Sequence, residues 1–423
     1  MLEKIVNILK ASGVYGWEVS DVKKQGWEFY FIRHALDQHR AKNVEHITVK
    51  VYQLVGDGLG FASVEIAPTA TEAEAEALVR DLAYRASLVK NKPYTLVPPA
   101  PQTPEAGEAS DLAAISGGFL RTMAALPETA GEDVNSYEVF VSDVTRRLVT
   151  STGIDETERY PSSMLEVVVN ARRDGHEIEL YRNYKSGSCD AEALRRDLEK
   201  TMQYGRDRLN TVPTPITGKF NVLFSGADAC AIYKYFVARM NAQMVYRKIS
   251  PWKLGEPVCE DVHGDKVTVT ALRELKNSSV NHRFDAEGAL VRDTVLIEEG
   301  VAKNYLGSRM FACYLGLENA FIPTNIAVTG GTYSEEELRA GQYLEVVEFS
   351  DFQVDDMTGD IFGELRLGYW HDGEKVVPVS GGSLSGSMDD FVGELYMSRE
   401  SAQHDNMRIP ALTLLKGVTV TGA

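Results

Sequence analysis

The 423-residue chain carries 44 basic and 61 acidic side chains. The formal net charge of −17 repels nucleic acid and argues against direct DNA binding. Hydrophobic residues make up 44% of the chain, an ordinary globular composition that allows two or three domains with an ample core. The sequence contains no run of 18 apolar residues, so it predicts no membrane-spanning helix.

The first residues and the cysteines indicate the compartment. Residues 1–13 interleave acidic and basic side chains and lack the apolar segment and cleavage site of a signal peptide. The four cysteines are scattered, with no CxxC pair, at Cys189, Cys230, Cys259 and Cys313. We therefore expect reduced thiols in a cytoplasmic protein.

Residues 1–97 predict an N-terminal α+β domain. An amphipathic helix comes first, and Thr71 with Glu74 forms a capping box that opens a long second helix. Between the helices, the alternation of apolar and polar residues predicts strands at 17–22, 27–33, 46–55 and 61–66. Helix, antiparallel strands and helix in that order are typical of a small α+β unit.

The sequence of residues 98–215 predicts a second region that contains both strands and a helix. It starts within an extended connection rich in proline, alanine and glutamate at 92–110. An antiparallel meander follows, with strands at 137–150, 164–170 and 177–184. Asp190 is placed to cap the helix that comes next.

Residues 216–423 predict a large C-terminal domain, mostly of antiparallel strands, that forms a curved or barrel-like sheet. The domain opens on a buried strand at 220–224 that leads directly into a helix. Ser225 stands at the predicted N-cap, and Asp228 lies three residues later, as in a capping box. The helix then carries an apolar stripe of Ile232, Phe236 and Met240. The clearest later strands are 267–272, 290–297, 343–349, 363–369 and 412–420.

An ordered set of short blocks resembles the TldD/PmbA (TldE) family. The blocks cover about the last 200 residues, and the first 200 fit at the level of their α+β pattern. They are the segments 284–288, 294–301, 323–326, 358–360, 375–379, 410–412 and 418–422. This resemblance implies a metallopeptidase-related fold, and some members carry the older family name "modulator of DNA gyrase".

The resemblance also implies where a metal centre would lie. The catalytic subunit, TldD, carries H-E-x-x-x-H at the start of a helix after a buried strand, together with a cysteine near its C-terminus. The histidines bind a metal, normally taken to be zinc, and the glutamate can act as general base on a metal-bound water. In this chain the two histidine positions hold Ser225 and Cys230, and the glutamate position holds Gly226. Segment 398–410 contains no cysteine.

The resemblance therefore implies a TldE/PmbA-like subunit with no catalytic residues, metal or cofactor of its own. Zinc is expected on a TldD-like partner in a heterodimer, with homodimers possible in isolation. The implied complex degrades unfolded or flexible peptides and trims leader peptides. Two alternatives from other classes stay open: a stand-alone peptide-binding or scaffold module, and a hydrolase that uses Cys230.

Several residues have both a chemical and a structural interpretation. The helix dipole would lower the pKa of Cys230 near a helix start, and His404 lies in the loop that would supply a third metal ligand. The simpler interpretation of Cys230 is a small buried thiol. Ser225 lacks the G-x-S-x-G context of a serine nucleophile, and segment 380–387 lacks the motifs of a phosphate loop. The remaining histidines lack the i, i+4 spacing of helical ligands: His34, His39, His46, His176, His263, His282 and His371.

Overall fold

One antiparallel six-stranded sheet organises the first half of the chain. The computed structural model describes residues 1–100 and 107–423. The strand order is β3-β2-β1-β4-β5-β6, and every neighbouring pair is antiparallel. The strands are β1 (Gly16–Ile32), β2 (Ala35–Val55), β3 (Gly58–Ile66), β4 (Glu132–Thr150), β5 (Asp155–Arg173) and β6 (His176–Ser186).

Four helices pack on the apolar side chains of this sheet. They are α1 (Leu2–Ala11), α2 (Glu72–Ser87), α3 (Leu112–Ala124) and α4 (Ala191–Arg208). One core lies under α1 and α2, where Leu9 and Leu82 pack with Val49, and a second lies under α3 and α4 around Phe119 and Leu198. Because alternate residues of a strand share a face, the apolar positions of the strands meet the helices on one side.

The sheet crosses the predicted boundary near residue 97. Strand β1 pairs with β4 from Glu18 opposite Thr150 to Ile32 opposite Ser136. The two predicted N-terminal parts therefore build a single sheet, and the strands predicted at 17–22 and 27–33 are one strand. The division of the whole chain into three domains stays a prediction.

The connection between α2 and β4 contains a helix that the sequence did not reveal. Residues 92–100 have no helix or strand, as expected, while residues 101–106 of the predicted connection lie outside the described residues. Helix α3 then spans Leu112–Ala124 despite Gly117 and Gly118 in its middle. The lack of a side chain at Gly118 lets α3 approach Cys189, since a Cβ there would come within 2.9 Å of the Cys189 Cβ.

The C-terminal half contains a closed barrel. Strands β8 (Gly218–Ser225), β13 (Tyr343–Val354), β14 (Asp360–His371), β16 (Ser383–Ser387) and β20 (Leu412–Thr421) pair in the order β13-β8-β20-β16-β14. The pairing of β13 with β14 closes the ring, and the β8–β13 pair is parallel whereas the others are antiparallel. The predicted fold class, an α+β N-terminal region followed by a mostly antiparallel, barrel-like β region, is confirmed.

The remaining elements surround the barrel. A second six-stranded sheet has the order β11-β10-β9-β12-β19-β18. The strands not yet given are β7 (Val212–Pro213), β9 (Thr268–Leu272), β10 (Thr294–Glu298), β11 (Val301–Ala302), β12 (Asn325–Thr329), β15 (Val376–Ser380), β17 (Leu395–Met397), β18 (Ser401–His404) and β19 (Met407–Pro410). The helices are α5 (Cys230–Arg239), α6 (Ala242–Tyr246), α7 (Arg309–Tyr314), α8 (Glu335–Leu338) and α9 (Met388–Phe391).

Helix α5 lies in the main core of this half. Ile232, Phe236 and Met240 are completely buried, which confirms the predicted apolar stripe. Tyr233 is buried as well, and its hydroxyl lies 2.6 Å from the Thr413 hydroxyl of β20. A helix with apolar residues on several faces belongs in a core, and this packing fixes the start of α5 relative to the barrel.

The predicted capping box at Ser225 is wrong. Ser225 is the last residue of β8 and pairs with Leu412 of β20. A 3-10 turn at Ala227–Ala229 precedes α5, and neither element has a side-chain cap in the described chain. Barrel pairing holds Ser225 in extended backbone, so it cannot also begin the helix. The predicted caps at Thr71 with Glu74 and at Asp190 are both present.

Two substitutions, Thr71→Ala and Ser225→Ala, test the conclusion that Thr71 caps a helix and Ser225 does not. Thr71→Ala should destabilise the first turn of α2 by about 1 kcal/mol, because the Glu74 amide loses its acceptor. Amide hydrogen exchange there should rise about fivefold. Ser225→Ala should leave exchange in the first turn of α5 unchanged. Faster exchange in α5 after Ser225→Ala would mean that Ser225 caps the helix.

Candidate functional site

A cleft of about 800 Å³ lies between the first sheet and the barrel. One wall is β6, with Tyr181 to Ser186 in an unbroken run, together with one face of α4. The other wall comprises the turn after β8, the start of α5 and part of β13, and the end of β18 completes it. Since β6 and β18 are edge strands of their sheets, two strand edges border the same space.

The four positions singled out in the sequence lie together in this cleft. Ser225, Gly226 and Cys230 line it from the barrel side, and His404 lines it from β18. Cys230 and His404 are far apart in the sequence, and no local pattern indicates that they line the same cleft. The segment expected to be a loop holds strands β18 and β19, and His404 is the last residue of β18. The correspondence of these four positions to a metal site stays a prediction.

The backbone at Gly226 determines the direction of the chain after β8. Gly226 has φ +77° and ψ −165°, a combination that almost only glycine adopts. A Cβ at this position would meet no atom within 4 Å, so the restriction comes from the backbone and not from a neighbouring side chain. A glutamate here would be strained by on the order of 1–3 kcal/mol unless the turn rearranged.

Cys230 is a buried thiol. Its exposed fraction is 6%, and burial raises its pKa to about 12, with Asp228 raising it further and Lys234 opposing the rise. The expectation that the helix dipole would lower this pKa is therefore wrong. Burial outweighs the dipole because a thiolate loses its hydration in the core. At neutral pH the residue is a protonated thiol and a poor nucleophile.

His404 is an uncharged imidazole at neutral pH. Burial and the nearby positive charge of Lys200 lower its pKa to about 4. Its Nε2 atom is buried and has no hydrogen-bond partner among the residues that the structure describes. Although His404 lines the cleft, its Nε2 atom is enclosed by protein, and the imidazole does not act as an acid or base near pH 7.

The donor set at these positions does not fit a catalytic zinc. Such a site needs three protein ligands, usually imidazole, thiolate or carboxylate. The motif positions offer a serine hydroxyl, a glycine and a single thiol, with one imidazole across the cleft, which makes two zinc ligands where three are needed. Within residues 1–100 and 107–423, no three His, Cys, Asp or Glu side chains converge in a way that would hold a metal ion.

Six of the seven other histidines have ordinary partners, and His176 is exposed at the start of β6. Four of them contact a single carboxylate each: His34 with Glu128, His46 with Glu65, His263 with Glu394 and His282 with Glu158. His39 stacks on Phe29, and His371 stacks on Tyr343. The glycine-rich segment 380–387 comprises the last residue of β15, a turn at Gly381 and Gly382, and strand β16. The four cysteines are free thiols.

Sequence reasoning missed an ionic cluster in the cleft. Glu348 is 8% exposed, and one of its oxygens lies 3.6 Å from Arg182 and 3.5 Å from Arg208. The pairing of β13 with β14 shifts register on both sides of Glu348, so a β-bulge directs this side chain into the cleft. A bulge interrupts the alternation of side chains along a strand, and no pattern in the sequence of β13 indicates its position.

Charges and aromatic rings are mixed along the cleft. Five Lys or Arg and five Asp or Glu side chains line it, in a chain whose net charge is −17. The aromatic residues that line it are Phe119, Tyr181, Tyr184, Tyr204 and Phe349. Such a surface offers stacking and hydrogen bonding to an elongated, amphipathic ligand.

The fold and the cleft define a class of protein: a long antiparallel sheet joined to a closed barrel, with a ligand-sized space between them. Residues 217–422 match the family described as PmbA/TldA metallopeptidase C-terminal domain. The C-terminal half of the chain therefore carries the C-terminal domain of this metallopeptidase family, in agreement with the resemblance of the sequence to the TldD/PmbA family.

Relatives and solved structures agree with this assignment. An uncharacterised protein of Methanocaldococcus jannaschii is 22% identical over 281 residues, 63% of this chain and 64% of the relative. A metalloprotease PmbA homolog of Haemophilus influenzae is 24% identical over 218 residues, 49% of this chain and 47% of the relative. In both cases the alignment spans less than two thirds of the relative.

Two crystal structures share the whole fold. TldE from Thermococcus kodakarensis superposes with a TM-score of 0.76 at 15% identity, over 99% of this chain and 100% of that one. A protein of Bacteroides thetaiotaomicron, named for modulation of DNA gyrase, superposes with a TM-score of 0.78 at 16% identity, over 100% and 98%. At such identities the likeness shows the fold. No helix in the described part of the chain is long and apolar enough to cross a bilayer.

The raised pKa of Cys230 predicts slow alkylation. Iodoacetamide reacts with thiolates, so Cys230 in the native chain should react on the order of 10²- to 10³-fold more slowly at pH 8 than in the urea-unfolded chain. Peptide mass spectrometry after timed quenching measures both rates. Cys313, which is only partly buried, controls for access of the reagent to native protein. Equal native and unfolded rates for Cys230 would contradict this account.

The lowered pKa of His404 predicts a loss of stability in acid. In the unfolded chain this imidazole takes up its proton near pH 6.5, whereas in the folded chain it does so only near pH 4. As the pH falls from 6.5 to 4, the unfolded state binds more protons and gains stability relative to the folded state. His404→Gln should therefore flatten the decrease in melting temperature between these pH values. An unchanged pH dependence in the variant would show that His404 does not contribute.

Proposed function

We propose that this chain is the TldE/PmbA-like, non-catalytic subunit of a TldD/TldE-type metallopeptidase. The observation that carries the proposal is the turn at Gly226, where a glycine-only backbone occupies the position of the catalytic glutamate. A substitution that merely removed a side chain would have left a helical backbone there. Here Gly226 has a non-helical backbone, whereas the resemblance implies that the motif stands at the start of a helix.

The other motif positions support the same role. Cys230 is a buried, protonated thiol, and Ser225 is held in barrel pairing with β20. Serine and glycine are not usual zinc ligands, so Cys230 and His404 are two ligands where three are needed, and the metal is expected on the TldD-like partner. The fold around these positions is nonetheless complete, with α5 fully packed in the core. A chain that keeps this fold but lacks the metal ligands can still provide a surface for assembly with a catalytic partner.

The cleft is suited to peptides in extended conformation. The run Tyr181 to Ser186 of β6 borders the cleft at a sheet edge, and an added strand could pair with such an edge through main-chain hydrogen bonds. Recognition through main-chain hydrogen bonds depends little on the sequence of the bound peptide, which suits unfolded or leader peptides as substrates. The side chains along the cleft would then set the remaining preference.

The structural relatives support the proposed assembly, and the free cysteines support the proposed compartment. One structural relative is named TldE, and a TldE-type chain implies a TldD-like partner. A heterodimer is the expected state in the cell, with homodimers possible when the chain is isolated. The four free cysteines agree with a reducing, cytoplasmic setting.

Two alternative functions require different features of the molecule. A hydrolase centred on Cys230 needs a thiolate, and the raised pKa of that thiol argues against it. If Cys230→Ser leaves every measured activity intact, that alternative is excluded. A stand-alone peptide-binding module needs the same cleft but no partner, so association with a TldD-like chain separates it from the proposal.

Metal analysis and a peptidase assay test the proposal directly. The isolated chain should hold far less than one zinc per molecule and should not cleave an unfolded peptide such as reduced casein. The same chain mixed with a TldD-like partner should form a complex on size-exclusion chromatography and gain cleavage that a chelator abolishes. The partner's own H-E-x-x-x-H glutamate changed to glutamine serves as the control, because that complex should form without cleaving.

Two results would count against the proposed function. Stoichiometric zinc with chelator-sensitive cleavage by the isolated chain would make this chain a catalytic subunit. Failure to associate with any TldD-like partner, with peptide binding retained, would favour the stand-alone module.

A further inference from the structure

Arg182 presents an unused hydrogen-bonding edge to the cleft. Its Nη1 atom donates to the Tyr181 carbonyl at 3.0 Å and lies 3.6 Å from Glu348. Among the described residues, no acceptor is bonded to its Nε or Nη2 atom. Its side chain is 25% exposed and lines the cleft. The guanidinium is therefore held at one nitrogen and open at the others.

Glu348 does not neutralise Arg182 by itself. Its distances of 3.6 Å to Arg182 and 3.5 Å to Arg208 fit ion pairs but are too long for good hydrogen bonds. Its second oxygen, Oε2, is buried and has no partner in the part of the chain that the structure describes. A carboxylate that is nine-tenths buried and half unpartnered at a cleft wall indicates an absent hydrogen-bond donor.

Positive charge is in excess at this corner. Arg366 lies near Glu348 as well, and burial with the charges of Arg366 and Arg182 lowers the pKa of Arg208. All three guanidinium groups lie near Glu348, whereas Arg182 alone acts on Asp228, which makes no ion pair within 4 Å in the described chain. The local sum of three positive and two negative charges is +1, in a protein with a net charge of −17.

From this geometry we infer that Arg182 forms a subsite for a carboxylate group of a bound peptide. The inference rests on the proposed peptide-binding function. A guanidinium edge matches a planar carboxylate with two parallel hydrogen bonds, which a spherical or tetrahedral anion satisfies less well. One carboxylate also balances the local charge of +1. The unpartnered oxygen of Glu348 then accepts a hydrogen bond from a main-chain N–H of the same peptide.

Arg208 and Arg366 have a positioning role in this arrangement. They compensate the buried charge of Glu348 from the side of α4 and β14, so that Arg182 is not drawn fully onto it. Without them, Glu348 would bind the Arg182 edge and close the subsite. The carboxylate can come from two sources: the C-terminus of the peptide, or an aspartate or glutamate side chain.

Paired peptides distinguish these sources. The probe is an extended hexapeptide with one internal glutamate and an N-terminal fluorophore, and fluorescence anisotropy measures its binding to the full chain. Its partners are the C-terminal amide and the version with glutamine in place of glutamate. The unmodified peptide should bind about tenfold more tightly than one of its partners, since a charged hydrogen-bonded pair lost at a protected site has about this effect.

Variants of the chain assign the preference to Arg182. Arg182→Gln should reduce the tenfold preference to about one, and Arg182→Lys should retain a part of it, because lysine keeps the charge without the planar edge. Arg195→Gln is the matched control: it removes the same charge from an exposed ion pair on α4, outside the cleft lining, and should keep the full preference. The preference is a ratio within each variant, so a smaller folded fraction does not change it.

The outcomes separate this inference from the function on which it rests. Equal binding of all three peptides by the unaltered chain, or a full preference in Arg182→Gln, would overturn the subsite and leave peptide binding intact. A loss confined to the amide identifies the C-terminal carboxylate, and a loss confined to the glutamine peptide identifies the side chain. Binding of none of the peptides would overturn both the subsite and the peptide channel.

Discussion

The backbone between β8 and α5 constrains the chemistry of the cleft more than any single side chain. Strand β8 is hydrogen-bonded on both sides, to β20 and β13, up to its last residues. Helix α5 is fixed by its buried aromatic and aliphatic side chains. The turn at Gly226 must join two immobile elements, and it does so with dihedral angles that other residues avoid. Building a metal motif at this position would therefore require a new path of the chain as well as new ligands.

Burial then determines the state of the groups that remain. Cys230 and His404 would suggest a reactive pair from their residue types, but both are held in their neutral forms, one by a raised pKa and the other by a lowered pKa. The same physical cause acts in opposite directions because the charged form is the deprotonated one for the thiol and the protonated one for the imidazole. Neither of these two residues therefore transfers protons readily at neutral pH.

The sequence predicted the parts of the fold that depend on local periodicity. The cap at Thr71, the cap at Asp190 and the stripe on α5 follow from rules within one turn of helix, and all three are present. The capping box at Ser225 failed because pairing with β20, nearly 190 residues away, holds that residue in a strand. Likewise, the single sheet formed by β1 and β4 depends on a register between distant segments, which no local pattern encodes.

The candidate site was predictable only where a family pattern covered it. Ser225, Gly226, Cys230 and His404 were found through the spacing of an absent motif, whereas Arg182 and Glu348 belong to no motif. Their contact needs the bulge in β13 and the approach of β6 to the barrel, both properties of the folded chain. A buried glutamate flanked by arginines gains little net stability, since desolvation offsets the attraction. Its partly open pairing is therefore better explained by a ligand that completes it than by a contribution to folding.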